Sequence, residues 1–128
     1  MDLVELFRES KSVESRAAGE TIFEQGEAGA VMYVILDGEV DIQVSGQTVE
    51  RAGAGSLFGE LALIDTRTRS ATVTARSDCR LVSMDRTSFL EMVQRFPAFS
   101  LHVMRVLGER LRRMDANMAK YMGQAGGD

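Results

Sequence analysis

At 128 residues the chain is long enough to bury one hydrophobic core, near the common size of a single domain. Its 45% hydrophobic and 27% charged residues are those of an ordinary soluble protein, and no apolar run approaches the roughly 20 residues of a membrane-spanning helix. A formal net charge of −4 argues against sequence-independent nucleic-acid binding, which needs a concentrated basic face; any DNA-binding part is expected outside this chain.

The start, MDLVELFRES, is acidic and amphipathic and lacks the basic start and small-residue cleavage site of a secretory signal, so a cytoplasmic protein is expected. Residues 3–9 carry Leu3, Leu6 and Phe7 at helical spacing and predict a short packing helix. From Ser12 to Met84 short β-rich runs are broken by glycines. Asp37-Gly38 and Ser45-Gly46 read as hairpin turns, because glycine accepts the positive φ that tight turns require. Val40, Ile42 and Val44 alternate with polar residues and predict one inward row. Cys79 is the only cysteine, which rules out an intrachain disulfide and suits a buried thiol in a reducing compartment.

After Met84 the period becomes helical. In DRTSFLEMVQRF, Asp85 or Thr87 is the N-cap, and Phe89, Leu90, Val93 and Phe96 form the apolar face. Pro97 opens a second helix, where its missing N–H costs little, running to about Tyr121 with a flexible tail over 123–128. The fold class is therefore mainly β with flanking helices. An antiparallel β-roll, or jelly roll, over about 12–84 is preceded by a short N-terminal helix and followed by two C-terminal helices over about 86–121, within one domain of residues 1–122.

The stretch FGELALIDTRTRSATV carries the chemistry. Gly59 permits a sharp turn, Glu60 to Leu63 can form one helical turn whose free N–H groups attract an anion, and Arg69 offers a fork of donors suited to phosphate. One arginine with backbone donors matches a singly charged phosphodiester better than a triphosphate, and Glu60 could accept from sugar hydroxyls. Spacing alone leaves a second reading open, in which Glu60 and Arg69 simply pair with each other. Arg67 competes with Arg69 for the phosphate. A Walker-type loop is excluded, since no glycine-lysine-serine/threonine run exists.

This stretch resembles the phosphate-binding cassette of the cyclic-nucleotide-binding domain family, which occurs in catabolite-activator-type bacterial regulators, protein kinase A regulatory subunits and cyclic-nucleotide-gated channels. IFEQGEAGAVMYVILDGEVDI is similar to the same family's β-roll, and the resemblance extends over roughly 13–120. It implies backbone N–H bonds from Gly59, Leu61 and Ala62 to a cyclic phosphate, in a cassette headed by Phe58. It further implies Glu60 on the ribose 2′-hydroxyl, Arg69 on the phosphate, and Ser70 within reach of phosphate or a guanine amino group. The implied ligand is cAMP, with cGMP left open by Ser70, and no metal or further cofactor is called for. Where the family has proline before the arginine this chain has Thr68, which loosens the loop and implies weaker binding.

By the same resemblance the last helix closes over the base, with Arg110 as its cap by cation–π stacking; the alternative is a solvated helix charge. Val44 either lines the base pocket or belongs to the core. Met104, Leu111 and Met118, with Leu107, Met114 and Tyr121, recur at heptad spacing and predict a homodimer seam, unless Met104 and Leu107 pack on the roll. The eight methionines read as adaptable packing. Three functions follow: a non-enzymatic cyclic-nucleotide sensor, a degenerate domain kept for dimerisation or protein interaction, and a cupin-like metal enzyme. The last needs a histidine cluster, and the chain has only His102, expected at the surface of its helix.

Overall fold

The computed structural model describes residues 1–64 and 68–126, with 117–126 described by backbone alone. Asp2 caps the first helix, α1 (Leu3–Phe7), its Oδ1 accepting from the N–H groups of Val4 and Glu5 at 3.1 and 3.3 Å. Leu3 and Phe7 are buried and Leu6 packs beside them.

The strands are β1 (Val13–Arg16), β2 (Thr21–Phe23), β3 (Val31–Asp37), β4 (Val40–Val44), β5 (Gln47–Ala52), β6 (Leu57–Phe58), β7 (Thr72–Ala75) and β8 (Cys79–Asp85). They form two four-stranded antiparallel sheets, ordered β1-β8-β3-β6 and β2-β7-β4-β5. A one-turn helix, α2 (Leu61–Ile64), follows β6, and α3 (Arg86–Arg95) and α4 (Pro97–Gly126) follow β8.

Strand β3 shows how the layers are held. Its run VMYVIL lacks polar alternation because both faces are covered. Met32, Val34 and Leu36 meet α1, Phe99 and Val103, whereas Tyr33 and Ile35 point between the sheets to Val40, Val73 and Leu81. Phe99 lies edge-on to Phe7 with ring centroids 5.8 Å apart, and fully burying such a ring contributes about 1.5–3 kcal/mol.

The two glycine turns differ. Ser45 and Gly46, at φ 51° and 83°, close the β4–β5 hairpin with Val44 opposite Gln47, as expected. Asp37-Gly38 is not a hairpin, because β3 and β4 belong to different sheets. It is the corner where the chain changes sheet, and a Cβ on Gly38 would stand 2.3 Å from the Asp78 carbonyl oxygen. Cys79 is buried beneath this corner, its thiol facing the Glu39 and Ser77 carbonyls at 3.3 Å and pushed up in pKa by burial.

Asp85 is the cap of α3, accepting from the Ser88 N–H at 2.8 Å. The inward face of this helix is Phe89, Met92 and Val93, while Leu90 and Phe96 are exposed, so the expected face is rotated. Positions 89, 92 and 93 lie on one stripe, and Leu90 sits a further 100° round from Phe89. Pro97 opens α4 as anticipated, and the helix runs past the expected end at Tyr121. Of the heptad positions, Leu107 packs on the roll, whereas Met104, Leu111 and Met114 are exposed; the side chains of Met118 and Tyr121 lie outside the described residues.

Candidate functional site

Strand β6 delivers the chain to the loop, Phe58 pairing with Tyr33 of β3 before Gly59 turns at φ 78°. The Gly59 carbonyl accepts from the Ala62 N–H at 3.2 Å and the Glu60 carbonyl from the Leu63 N–H at 3.1 Å, which closes α2. The Ala62 N–H is therefore already engaged, while helix geometry leaves the Leu61 N–H over. On the return, Thr68 forms a β-bridge with Ala28. Beside it the Arg69 N–H donates to the Glu27 carbonyl at 2.7 Å, and the Gly26 N–H donates to the Arg69 carbonyl at 2.9 Å. The backbone of Arg69 is thereby pinned at both its polar groups.

Its side chain turns inward and is only 8% exposed. The guanidinium lies over the Phe23 ring, 4.0 Å from the centroid, and its Nη1 donates to the Gly59 carbonyl at 3.3 Å. Its Nε is buried with no hydrogen-bond partner. Two glycines make the space: a Cβ on Gly29 would lie 2.1 Å from Nε, and one on Gly59 would lie 2.9 Å from Nη1. Burial lowers the pKa of Arg69, opposed by Tyr33 and Glu27, but an arginine starts so high that it stays charged at neutral pH. The result is an enclosed cation that, among the described residues, has no carboxylate paired with it.

Glu60, also 8% exposed, takes another partner, and of the two readings open from spacing the Glu60–Arg69 pair is the one that does not form. Glu60 Oε1 accepts from Nη1 of Arg110, on α4, at 2.8 Å. Arg110 Nε donates to both oxygens of Glu50 on β5, at 2.9 and 3.2 Å, and Nη2 donates to Glu50 at 3.2 Å and to the Leu57 carbonyl. The Arg110 side chain is 15% exposed, which rules out the solvated helix charge. Burial pulls its pKa down, but Glu50 and Glu60 together outweigh that and hold it above its ordinary value.

The remaining expected residues are distributed unevenly. Phe58 is fully buried, its ring stacked 5.2 Å from Tyr33 and tilted 5.8 Å from Phe23, the ring on which Arg69 lies. Ala62 is buried, Leu61 and Ser70 are exposed, and Arg67 lies outside the described residues. Val44 is no core residue: β4 overhangs β7 beyond the Gln43–Thr72 pair, leaving it 38% exposed. His102 is half-buried rather than a surface residue, with Nδ1 unpartnered and its pKa lowered by burial. Sequence reasoning missed Phe23, Gly29 and Glu50. Gly29 has no positive φ, so turn chemistry could not flag it, and Glu50 reads as one polar residue of an alternating strand.

Comparison with known proteins decides the family, since residues 13–96 match the model described as "Cyclic nucleotide-binding domain". The chain belongs to the cyclic nucleotide-binding domain family. It is 33% identical over 105 residues to the "Cyclic AMP receptor protein" of Thermus thermophilus, covering 78% of this chain and 49% of that protein. It is 34% identical over 106 residues to the "CRP-like cAMP-activated global transcriptional regulator" of Mycobacterium tuberculosis, covering 79% and 47%. The crystal structure of the Thermus thermophilus catabolite activator protein superposes with a TM-score of 0.75 at 30% identity, covering 86% of this chain and 54% of that one. The chain thus spans about half the length of the curated relatives it matches. Both the β-roll with its flanking helices and the membership implied by FGELALIDTRTRSATV are borne out by these matches. No described helix is long and apolar enough to cross a membrane.

Proposed function

We propose that this chain is a regulatory sensor domain, not an enzyme, that binds a cyclic nucleotide, cAMP in preference to cGMP. The observation that carries the reading is the enclosed Arg69 guanidinium beside the Gly59 turn, a preformed cation in a site cleared by Gly29 and Gly59. A cyclic phosphodiester brings one negative charge with two exocyclic oxygens, which Arg69 and the Leu61 N–H would share; charge-assisted bonds of this kind are worth about 1.5–3 kcal/mol each. Glu60 accepts from the ribose 2′-hydroxyl. Ser70, exposed beside Arg69, is the residue through which a guanine would be favoured. On binding, Arg110 leaves the carboxylates for the face of the base, so that α4 closes over the ligand, and Val44 at the overhanging end of β4 borders the base.

The exposed Met104, Leu111 and Met114 support a homodimer along α4, while Leu107 serves the roll. A second reading, a dimerisation domain that binds no nucleotide, is favoured by one observation: Glu60 already holds Arg110 at 2.8 Å. Calorimetric titration of purified protein with cAMP and cGMP, repeated with Arg69→Ala, separates the two. Saturable binding abolished by Arg69→Ala supports the sensor. No binding of either nucleotide, together with no ligand-dependent rise in melting temperature, leaves the dimerisation module; saturating ligand at 100 times its Kd would stabilise the fold by about 2.7 kcal/mol.

A further inference from the structure

We infer that Glu50, which lies outside the cassette, is a positioning residue that sets ligand affinity by holding Arg110 down in the ligand-free protein. The inference rests on the nucleotide-binding reading above. The guanidinium of Arg110 is not shared evenly. Glu50 takes the Nε–Nη2 edge with both carboxylate oxygens, at 2.9, 3.2 and 3.2 Å, whereas Glu60 receives a single bond from Nη1 at 2.8 Å. Since the guanidinium is planar and rigid, the grip on one edge fixes where the opposite nitrogen points. Glu50 therefore aims Nη1 at Glu60, and the Leu57 carbonyl completes the cradle.

The side chains of Glu50 and Arg110 are both largely buried, at 12% and 15% exposed, so their attraction is weakly screened. Arg113, half-exposed one turn further along α4 and 3.6 Å from Glu50, adds a second cation on the same carboxylate. Nearly every donor of Arg110 is thus committed, so the movement toward a base proposed above must first break the Glu50 pair. Ligand binding and the Glu50 pair compete for one side chain. Each weakening of the Glu50 grip raises the population of binding-competent protein, and apparent affinity rises in proportion.

The test is calorimetry with cAMP on wild type, Glu50→Gln, Arg110→Ala and the double variant, with hydrogen exchange along α4 in the ligand-free proteins. Glu50→Gln keeps the side-chain shape and removes the charge. It is expected to bind cAMP about tenfold more tightly and to exchange faster around Arg110, with the rest of the roll unchanged. The tightening must vanish when Arg110 is absent, which a merely structural role of Glu50 would not require. Should Glu50→Gln fail to fold, Glu50→Asp, one methylene too short to hold both nitrogens, is expected to move affinity in the same direction. Unchanged or weaker binding in a folded Glu50 variant, or tightening that persists without Arg110, overturns the inference alone. Absence of cAMP and cGMP binding in every protein, Glu50→Gln included, overturns the nucleotide-binding reading and the inference with it.

Discussion

Replacing Gly29 by alanine tests the cradle of Arg69 without touching any charge. The new Cβ would meet Arg69 Nε, Cζ and Cδ at 2.1, 2.4 and 2.8 Å, where packed atoms settle at about 3.5–4.0 Å. The guanidinium must therefore retreat by about 1.5 Å or swing out. Stability should change little. Gly29 is not in the left-handed region, so alanine gains about 0.4–1 kcal/mol by restricting the unfolded chain. That offsets part of an overpacking cost of about 1–3 kcal/mol, itself reduced because the obstructing atoms belong to a flexible side chain. Binding should suffer far more. Loss of one or two charge-assisted bonds to phosphate, at about 1.5–3 kcal/mol each, weakens cAMP binding by about 100-fold. The control is Gly19→Ala, where φ is 88° and a Cβ meets nothing within 4 Å; it should cost about 1–2 kcal/mol of stability and leave affinity intact. Urea denaturation and cAMP calorimetry on both variants read the contrast. Wild-type affinity in Gly29→Ala, or a larger affinity loss in Gly19→Ala, would refute the cradle.

Arg69→Ala should leave the ligand-free protein as stable as wild type or about 1 kcal/mol more stable, because it removes a buried charge whose Nε has no partner; a clear drop in urea midpoint would mean that the guanidinium is structural. Thr68→Pro gives up neither ladder bond, since those use the N–H and carbonyl of Arg69, and should raise stability by about 0.4–1 kcal/mol and tighten cAMP binding in calorimetry. Bonds from Ser88 lower the pKa of Asp85. Its contribution is present above the ordinary aspartate range and lost as pH falls through the folded value. Asparagine caps a helix equally well without charge, so the melting-temperature advantage of wild type over Asp85→Asn should exist at neutral pH and fade in acid; a constant difference would contradict this.

Much of the fold is legible because local chemistry and tertiary packing agree. Pro97 starts its helix, Asp85 caps its own, and Ser45-Gly46 closes the hairpin whose strands it joins. The misreadings arise where the deciding partner is distant in sequence. Asp37-Gly38 has the same dipeptide chemistry as a hairpin, and only the Asp78 carbonyl waiting 2.3 Å from a would-be Cβ reveals a corner between sheets. Leu90 and Phe96 fit an apolar stripe as well as Met92 does, until the position of Phe99 selects the face. At the site, Glu60 and Arg69 stand out because they share one loop. Glu50 and Gly29 do not, because each matters only through a side chain far along the chain: Arg110 in one case, Arg69 in the other.

The two charged residues of the loop await ligand in opposite conditions. Arg69 is desolvated and lacks a hydrogen bond at Nε, so an arriving phosphate repairs a deficit already built into the fold. Glu60 is satisfied by Arg110, so an arriving hydroxyl disturbs a pair that ties the last helix to the roll. In the proposed sensor the phosphate therefore supplies affinity, and the sugar and base, which together draw Arg110 away, supply the signal. By reciprocity, whatever holds Arg110 against Glu60 must weaken the ligand as much as the ligand weakens that hold. A ligand able to reach Arg69 but lacking both the ribose 2′-hydroxyl and the base would bind without drawing Arg110 away, and a helix that moved equally for such a ligand would place the switch somewhere other than Arg110.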